Sequence, residues 1–208
     1  MSLESMKNSY KMSFTTGGLF YNESLQIAAL YDTIGDWPKT RDQVLSENLL
    51  QTRTESSAKR RIWEICSRLE LLTEGQIQLL ISGSRQEQQY LLWIAVCKHY
   101  SFIRDFMIEV VREKFLRMDL HIQAQDYEIF YDNKAEWHAE LEKLRDSTRT
   151  RLRQALFQIM REAEIISRED MIIPCLLTEE LTKVLAADNS SWITVLPVSD
   201  MDINAWLA

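Results

Sequence analysis

Residues 146–165 read DSTRTRLRQALFQIMREAEI, and the reading of this stretch decides the fold. Leu152, Ala155, Leu156, Ile159, Met160 and Ala163 recur at intervals of three and four, which places them along one side of an α-helix. Asp146, Ser147 or Thr148 offers an oxygen to cap the first turn. Thr150, Arg151, Arg153, Gln154, Gln158 and Arg161 fall on the other side, with Arg149 at the edge. From residue 143 to residue 161 the basic residues are Lys143, Arg145, Arg149, Arg151, Arg153 and Arg161, against Asp146 alone. Six minus one gives +5, in a chain whose net charge is −7. Such a local inversion is the footprint expected of a helix that meets a phosphate backbone. An ordinary solvated surface helix has the same periodicity, so both readings stay open at this point.

A chain of 208 residues makes one large or two small domains. With 46% hydrophobic residues, 26% charged residues, 5 Gly and 3 Pro, it has few turn residues, which favours helices. The net charge excludes a protein coated in positive charge, so any nucleic-acid contact must be made by local patches. Cys66, Cys97 and Cys175 are odd in number and far apart, and they read as buried thiols of a reducing cytosol. The amino terminus has no apolar signal core, and the longest apolar run, residues 90–97, is too short to span a bilayer. A cytoplasmic protein is expected. His99, His121 and His138 are scattered and form no metal-ligand spacing. Gly17-Gly18 is followed by no Lys-Ser/Thr, and no nucleophile elbow or dinucleotide pattern occurs. An enzyme, a metal, a cofactor and a small-molecule substrate are therefore not expected.

Along the chain, residues 1–13 read as a flexible terminus and residues 14–83 as a helix-turn-helix-like unit. In its third helix, residues 55–72, Ala58, Ile62, Ile65, Cys66 and Leu69 face inward. Ser57, Arg60, Arg61, Glu64 and Arg68 face outward, with Lys59 at the margin. Residues 84–120 supply central core helices: the second half of 85–100 is apolar all round, and 103–118 carries a salt-bridged outer face including Arg112. Residues 121–198 repeat the three-helix order, with helices at 124–132 and 133–144 before the basic one. Residues 170–173 and 192–198 then read as two strands around a helix at 178–187, a wing on that unit. Residues 199–208 are an acidic tail carrying Trp206, read either as disordered or as a docking peptide. Trp37, Trp63, Trp93 and Trp137 are assigned to inner faces or helix starts, with core packing favoured over base stacking. The expected fold class is mostly α: a compact multi-helix protein with two helix-turn-helix-like units, the second winged by a small β pair.

Five blocks carry a resemblance. They are SFTTGGLFYNESLQIAALY (13–31), ENLLQTRTESSAKRR (47–61), GSRQEQQYLLWIAVCKHYSFIRDF (83–106), REKFL (112–116) and KAEWHAELEKLRDSTRTRLRQALFQIMREAEII (134–166). In this order they resemble the BrxA family, small accessory proteins of bacterial BREX phage-defence systems. The resemblance implies an all-helical protein with helix-turn-helix-like parts and a DNA-binding role. It also implies work beside a methyltransferase, an ATPase and a phosphatase, and it brings no catalytic motif. It assigns no residue individually. Charge and helix face single out Lys59, Arg60, Arg61, Arg145, Arg149, Arg151 and Arg153 as DNA-contacting candidates. The leading expectation is a non-enzymatic accessory protein that grips duplex DNA through basic helices. The alternatives are a helical adaptor within the defence complex, its Arg-rich helix meeting an acidic partner, and an RNA-binding helical module.

Overall fold

The computed structural model describes residues 9–16, 18–52 and 54–207. The expected looseness of residues 1–8, Gly17 of the Gly-Gly turn and Arg53 of the 51–54 turn lie outside the described residues.

The helices follow from their caps and apolar stripes. α1 (Tyr21–Ile34) stops at Gly35, whose φ of 70° suits a residue without a Cβ and whose N–H bonds the Tyr31 carbonyl. Asp36 caps α2 (Trp37–Ser46), with Pro38 in the first turn. Thr54 caps α3 (Glu55–Leu69) by accepting from the Ser57 N–H. Capping boxes open the next two helices: Thr73 with Gln76 for α4 (Glu74–Ser82), and Ser84 with Glu87 for α5 (Arg85–His99). α6 (Ser101–Phe106) continues through a π-helical turn, Met107–Arg112, into α7 (Glu113–Leu116). After an extended connector come α8 (Ala124–Ala135), the single turn α9 (Ala139–Glu142) and α10 (Asp146–Glu162). α11 (Glu179–Asn189) is capped by Thr178, leads into a 3-10 turn at Ser190–Val195, and is followed by α12 (Asp200–Leu207).

α5 is the axis of the core. Every residue from Glu87 to Cys97 is buried, as expected of a helix apolar all round. α3, α4 and α6 pack on it, and α1 and α10 reach it as well. Two bonds tie distant chain to this axis. Trp93 Nε1 donates to the Val195 carbonyl at 2.9 Å, and Gln89 Nε2 donates to the Glu162 carbonyl, at the end of α10, at 2.9 Å. The apolar stripe read from residues 146–165 is buried throughout, together with Phe157. No side chain caps that helix: Arg145 stands at its N-cap position, and Asp146, Ser147 and Thr148 lie inside the first turn.

Several expectations change. The residues 9–13 are not loose: Tyr10 is buried, its N–H donates to Glu140 at 2.6 Å and its hydroxyl to Asp105 at 2.7 Å. The expected strands do not form a ladder among the described residues. Met171 and Ile172 make isolated antiparallel bridges to His121 and Ile166, and Pro174, two residues on, has no N–H with which to extend the pairing. Residues 192–195 wind as a 3-10 turn instead; the alternating burial of Ile193 and Val195 is met by that turn as well as by a strand. Residues 133–144 are not one helix, because α8 runs on to Ala135 and then turns, leaving Trp137 84% exposed. Arg112 is buried rather than solvated. The π-helical turn holds one more residue per hydrogen-bonded ring than an α-turn, which shifts the faces that follow. Arg112 then points inward, donates to the Val198 carbonyl at 3.0 Å and pairs with Asp200. That pair, with Ile203 against the core, holds residues 200–207 as a helix. No helix among the described residues is long and apolar enough to cross a membrane.

Candidate nucleic-acid interface

The candidate residues lie on two helices, and the two differ in what surrounds their charge. On α3, the inward stripe of Ala58, Ile62, Ile65, Cys66 and Leu69 is buried as expected. Position 63 then falls on the outside, one turn past Lys59 and Arg60. Trp63 is 59% exposed, which corrects its assignment to the core. Lys59 pairs only with Glu55 of the preceding turn at 2.6 Å, both side chains being more than half exposed; such pairs are worth about 0.3–0.5 kcal/mol and yield readily to a phosphate. Arg60 is exposed, with no carboxylate partner among the described residues. Arg61 is engaged on the other side: it lies 3.6 Å from Glu23 and over the Phe20 ring. Arg68, expected outside, is buried, bonded to Glu64 and to the Gly18 carbonyl.

Trp63 lines a groove of about 320 Å³ between α2 and α3, shared with Pro38, Arg41, Asp42, Leu45, Lys59 and Ile62. The Arg41 guanidinium lies 4.4 Å from the indole centroid and is itself paired to Glu70. Below this, burial pushes the Cys66 thiol up to about 11, so it is a packing group rather than a nucleophile.

On α10 much of the charge is already answered. Arg149 reaches Glu128 at 2.5 Å and Asp132 at 2.7 Å, and stacks 4.3 Å from the Tyr131 ring centroid. Burial works against its charge, but hydrogen bonds and attraction from the two carboxylates more than offset this and hold its pKa above the ordinary value. Arg153 shares Glu128 at 2.5 Å, and Arg161 pairs with Asp170 at 2.5 Å. Arg145 and Arg151 are exposed and, with Lys143, have no carboxylate partner among the described residues. Of the six basic residues counted between 143 and 161, three therefore project uncommitted charge. Glu128 and Asp132 went unnoticed in the sequence, yet their i, i+4 spacing on the outer side of an aromatic helix is a legible signal for an acidic row.

Among the described residues no group of three or more His, Cys, Asp or Glu side chains could hold a metal ion. A cleft of about 600 Å³ lies between the start of α1 and the end of α10. Its charged lining is mixed: Arg85 and Arg161 against Glu23, Glu162 and Glu164.

Comparison with known proteins adds kinship. The family model described as BrxA matches residues 8–189, which carries the likeness past residue 166. A protein of Escherichia coli O9:H4 (strain HS) named BREX protein BrxA is 29% identical over 147 residues, 71% of this chain and 69% of that protein. One of the same name from Bacillus cereus (strain H3081.97) is 24% identical over 160 residues, 77% of this chain and 80% of that protein. The crystal structure of an uncharacterized protein from Magnetospirillum magneticum superposes with a TM-score of 0.77 at 23% identity, covering 91% of this chain and 98% of that one; it shares the fold.

Proposed function

Because the chain belongs to the BrxA family, we propose that it is a non-enzymatic component of a BREX-type phage-resistance system that grips duplex DNA, using α3 as the principal contact and the start of α10 as the second. The observation that carries this reading is Arg60. It stands on the exposed first half of a well-capped helix, beside the weakly held Lys59, with no carboxylate partner among the described residues. α2 packs against α3, and in this reading the pair serves as a helix-turn-helix, the second helix entering the major groove. Arg145 and Arg151 supply the second patch, which a chain of net charge −7 needs if it is to hold a polyanion. The methyltransferase, ATPase and phosphatase of such a system are the protein partners this reading implies.

Fluorescence anisotropy with duplexes of about 20–30 base pairs, at several salt concentrations, tests it. Binding that weakens steeply with salt, and that weakens further in the Lys59→Ala/Arg60→Ala variant, supports the reading. A second reading, an adaptor between defence components, is favoured by the exposed Met201 and Trp206 on α12. Unchanged affinity in the variant, with the protein still folded, would promote the adaptor. Tighter binding to duplex RNA than to DNA of equal length would promote RNA recognition instead.

A further inference from the structure

The tryptophans of this chain fall into two groups. Trp93 donates to a backbone carbonyl inside the core, Trp37 stacks on Tyr31 with ring centroids 3.8 Å apart, and Trp192 has Lys98 over its ring. Trp137 and Trp206 are exposed, whereas Trp63 is exposed and also held. Arg41 lies over its ring and is anchored in turn to Glu70, so the indole orientation is set before any ligand arrives. More than half of the side chain nonetheless remains open to the groove between α2 and α3.

We propose that the Trp63 groove is a stacking site for an unpaired nucleobase, so that the protein prefers DNA containing unstacked bases over intact duplex. This rests on the reading of α3 as a DNA-contacting helix. Three observations point to a base rather than another flat group. The groove is concave and lined by one partly exposed aromatic ring, which a planar π-face fits. The cation on the Trp63 ring is fixed in place, which favours a guanidinium–indole–base stack. Lys59 and Arg60 lie one helical turn before Trp63, where the phosphates on either side of a stacked base would run, and neither is committed to a buried carboxylate.

The experiment compares the full-length protein on an intact duplex and on the same duplex with a central bubble of about three unpaired positions. Stacking of one base is worth about 1–3 kcal/mol, which is roughly a 5- to 140-fold preference for the bubble. Trp63→Ala should remove that preference and leave intact-duplex affinity and its salt slope as they were. Trp63→Phe, which keeps a stacking ring, should keep most of the preference. A 2-aminopurine placed in the bubble should be quenched by the wild type and by Trp63→Phe, and not by Trp63→Ala. Because Trp63 is exposed, both variants should melt as the wild type does, which confirms that they are folded. Equal binding of bubble and duplex by the wild type, or a preference that survives Trp63→Ala, overturns the proposal while leaving the duplex reading intact. A Trp63→Ala variant that binds both DNAs normally but loses a protein partner assigns the groove to protein contact and overturns it too. Absence of salt-dependent binding to either DNA fails the underlying reading itself.

Discussion

α3 and α10 both carry clustered arginines on a solvent side, both pack on α5, and the stretch 143–161 that includes most of α10 is the more basic by residue count. Their surroundings reverse the order. α8 sets Glu128 and Asp132 against Arg149 and Arg153, so the middle of α10 presents closed ion pairs. Among the described residues no carboxylate pairs with Arg60, and Lys59 has a solvated neighbour one turn away. A charge count along a helix measures what the helix carries, and the surface potential depends on what its neighbours have cancelled. Arginine also plays two parts here. Arg149 on α10 covers an aromatic ring and joins two helices, whereas Arg60 on α3 is exposed with no carboxylate partner among the described residues.

The sharpest break in this comparison comes from the DNA side. Lys59→Ala/Arg60→Ala should lower the slope of log affinity against log salt by about 1.8, at about 0.9 per phosphate contact, and cost the largest share of affinity of any pair tested. Stability should stay within about 0.5 kcal/mol per site, since neither side chain is buried. A melting curve and a salt titration on one preparation check both halves. If the matching loss appears on α10 instead, the ranking of the helices is wrong.

Arg149→Ala should do the opposite. Its removal leaves Glu128 and Asp132 facing each other across a lost cation and uncovers Tyr131. The partly solvated pairs and the ring contact together are worth about 1 kcal/mol after screening, or roughly 2–4 °C in Tm for a chain of this length. The duplex slope should hardly move. Arg151→Ala, two residues on and without a carboxylate partner among the described residues, should take about 0.9 from the slope and leave Tm alone. The two single variants, assayed side by side, separate the structural arginine from the ligand-facing one.

Glu128→Gln/Asp132→Asn sharpens the contrast from the acidic side. Neutral amides keep the hydrogen-bonding shape and release the charge of Arg149 and Arg153. Duplex affinity at low salt should rise several-fold and the salt slope should steepen by up to about 1.8. Unaltered affinity would mean that no phosphate comes within reach of this stretch of α10. The smallest effect belongs to α12. Truncation after Val198 should leave binding to either DNA unchanged, and it should lower Tm through loss of the Arg112–Asp200 pair and of Ile203 packing. A change in affinity would place the tail beside one of the two faces.

How much of this was legible depended on the range of the interaction. The buried stripes of α3 and α10 were read correctly because helical periodicity is local. Trp63 was misassigned although its own helix held the answer: the five inward residues of α3 leave position 63 outside. The wing is expected because residues 170–173 and 192–198 are short, rich in Ile and Val and bounded by polar turns, a composition that asks for burial. A 3-10 turn and two isolated bridges satisfy the same burial. The ion pairs of Arg149 and Arg153 span 17 to 25 residues of chain, and Tyr10 meets Asp105 across 95; no window of local sequence contains such partners.

The sequence by itself determined the helical class, the central place of the apolar helix at 85–99, the burial of the three cysteines, and kinship with the BrxA family. Each of these depends on composition, on spacing within a few turns, or on five blocks in matching order. Only the tertiary structure decided which arginines remain available. It also decided that Arg68 and Arg112 turn inward and that Trp63 stands on a guanidinium at the rim of a groove. The physical reason is that the free energy of a charge or an aromatic face is set by whatever lies within a few ångströms of it, and in a folded chain those neighbours come from helices far away in sequence.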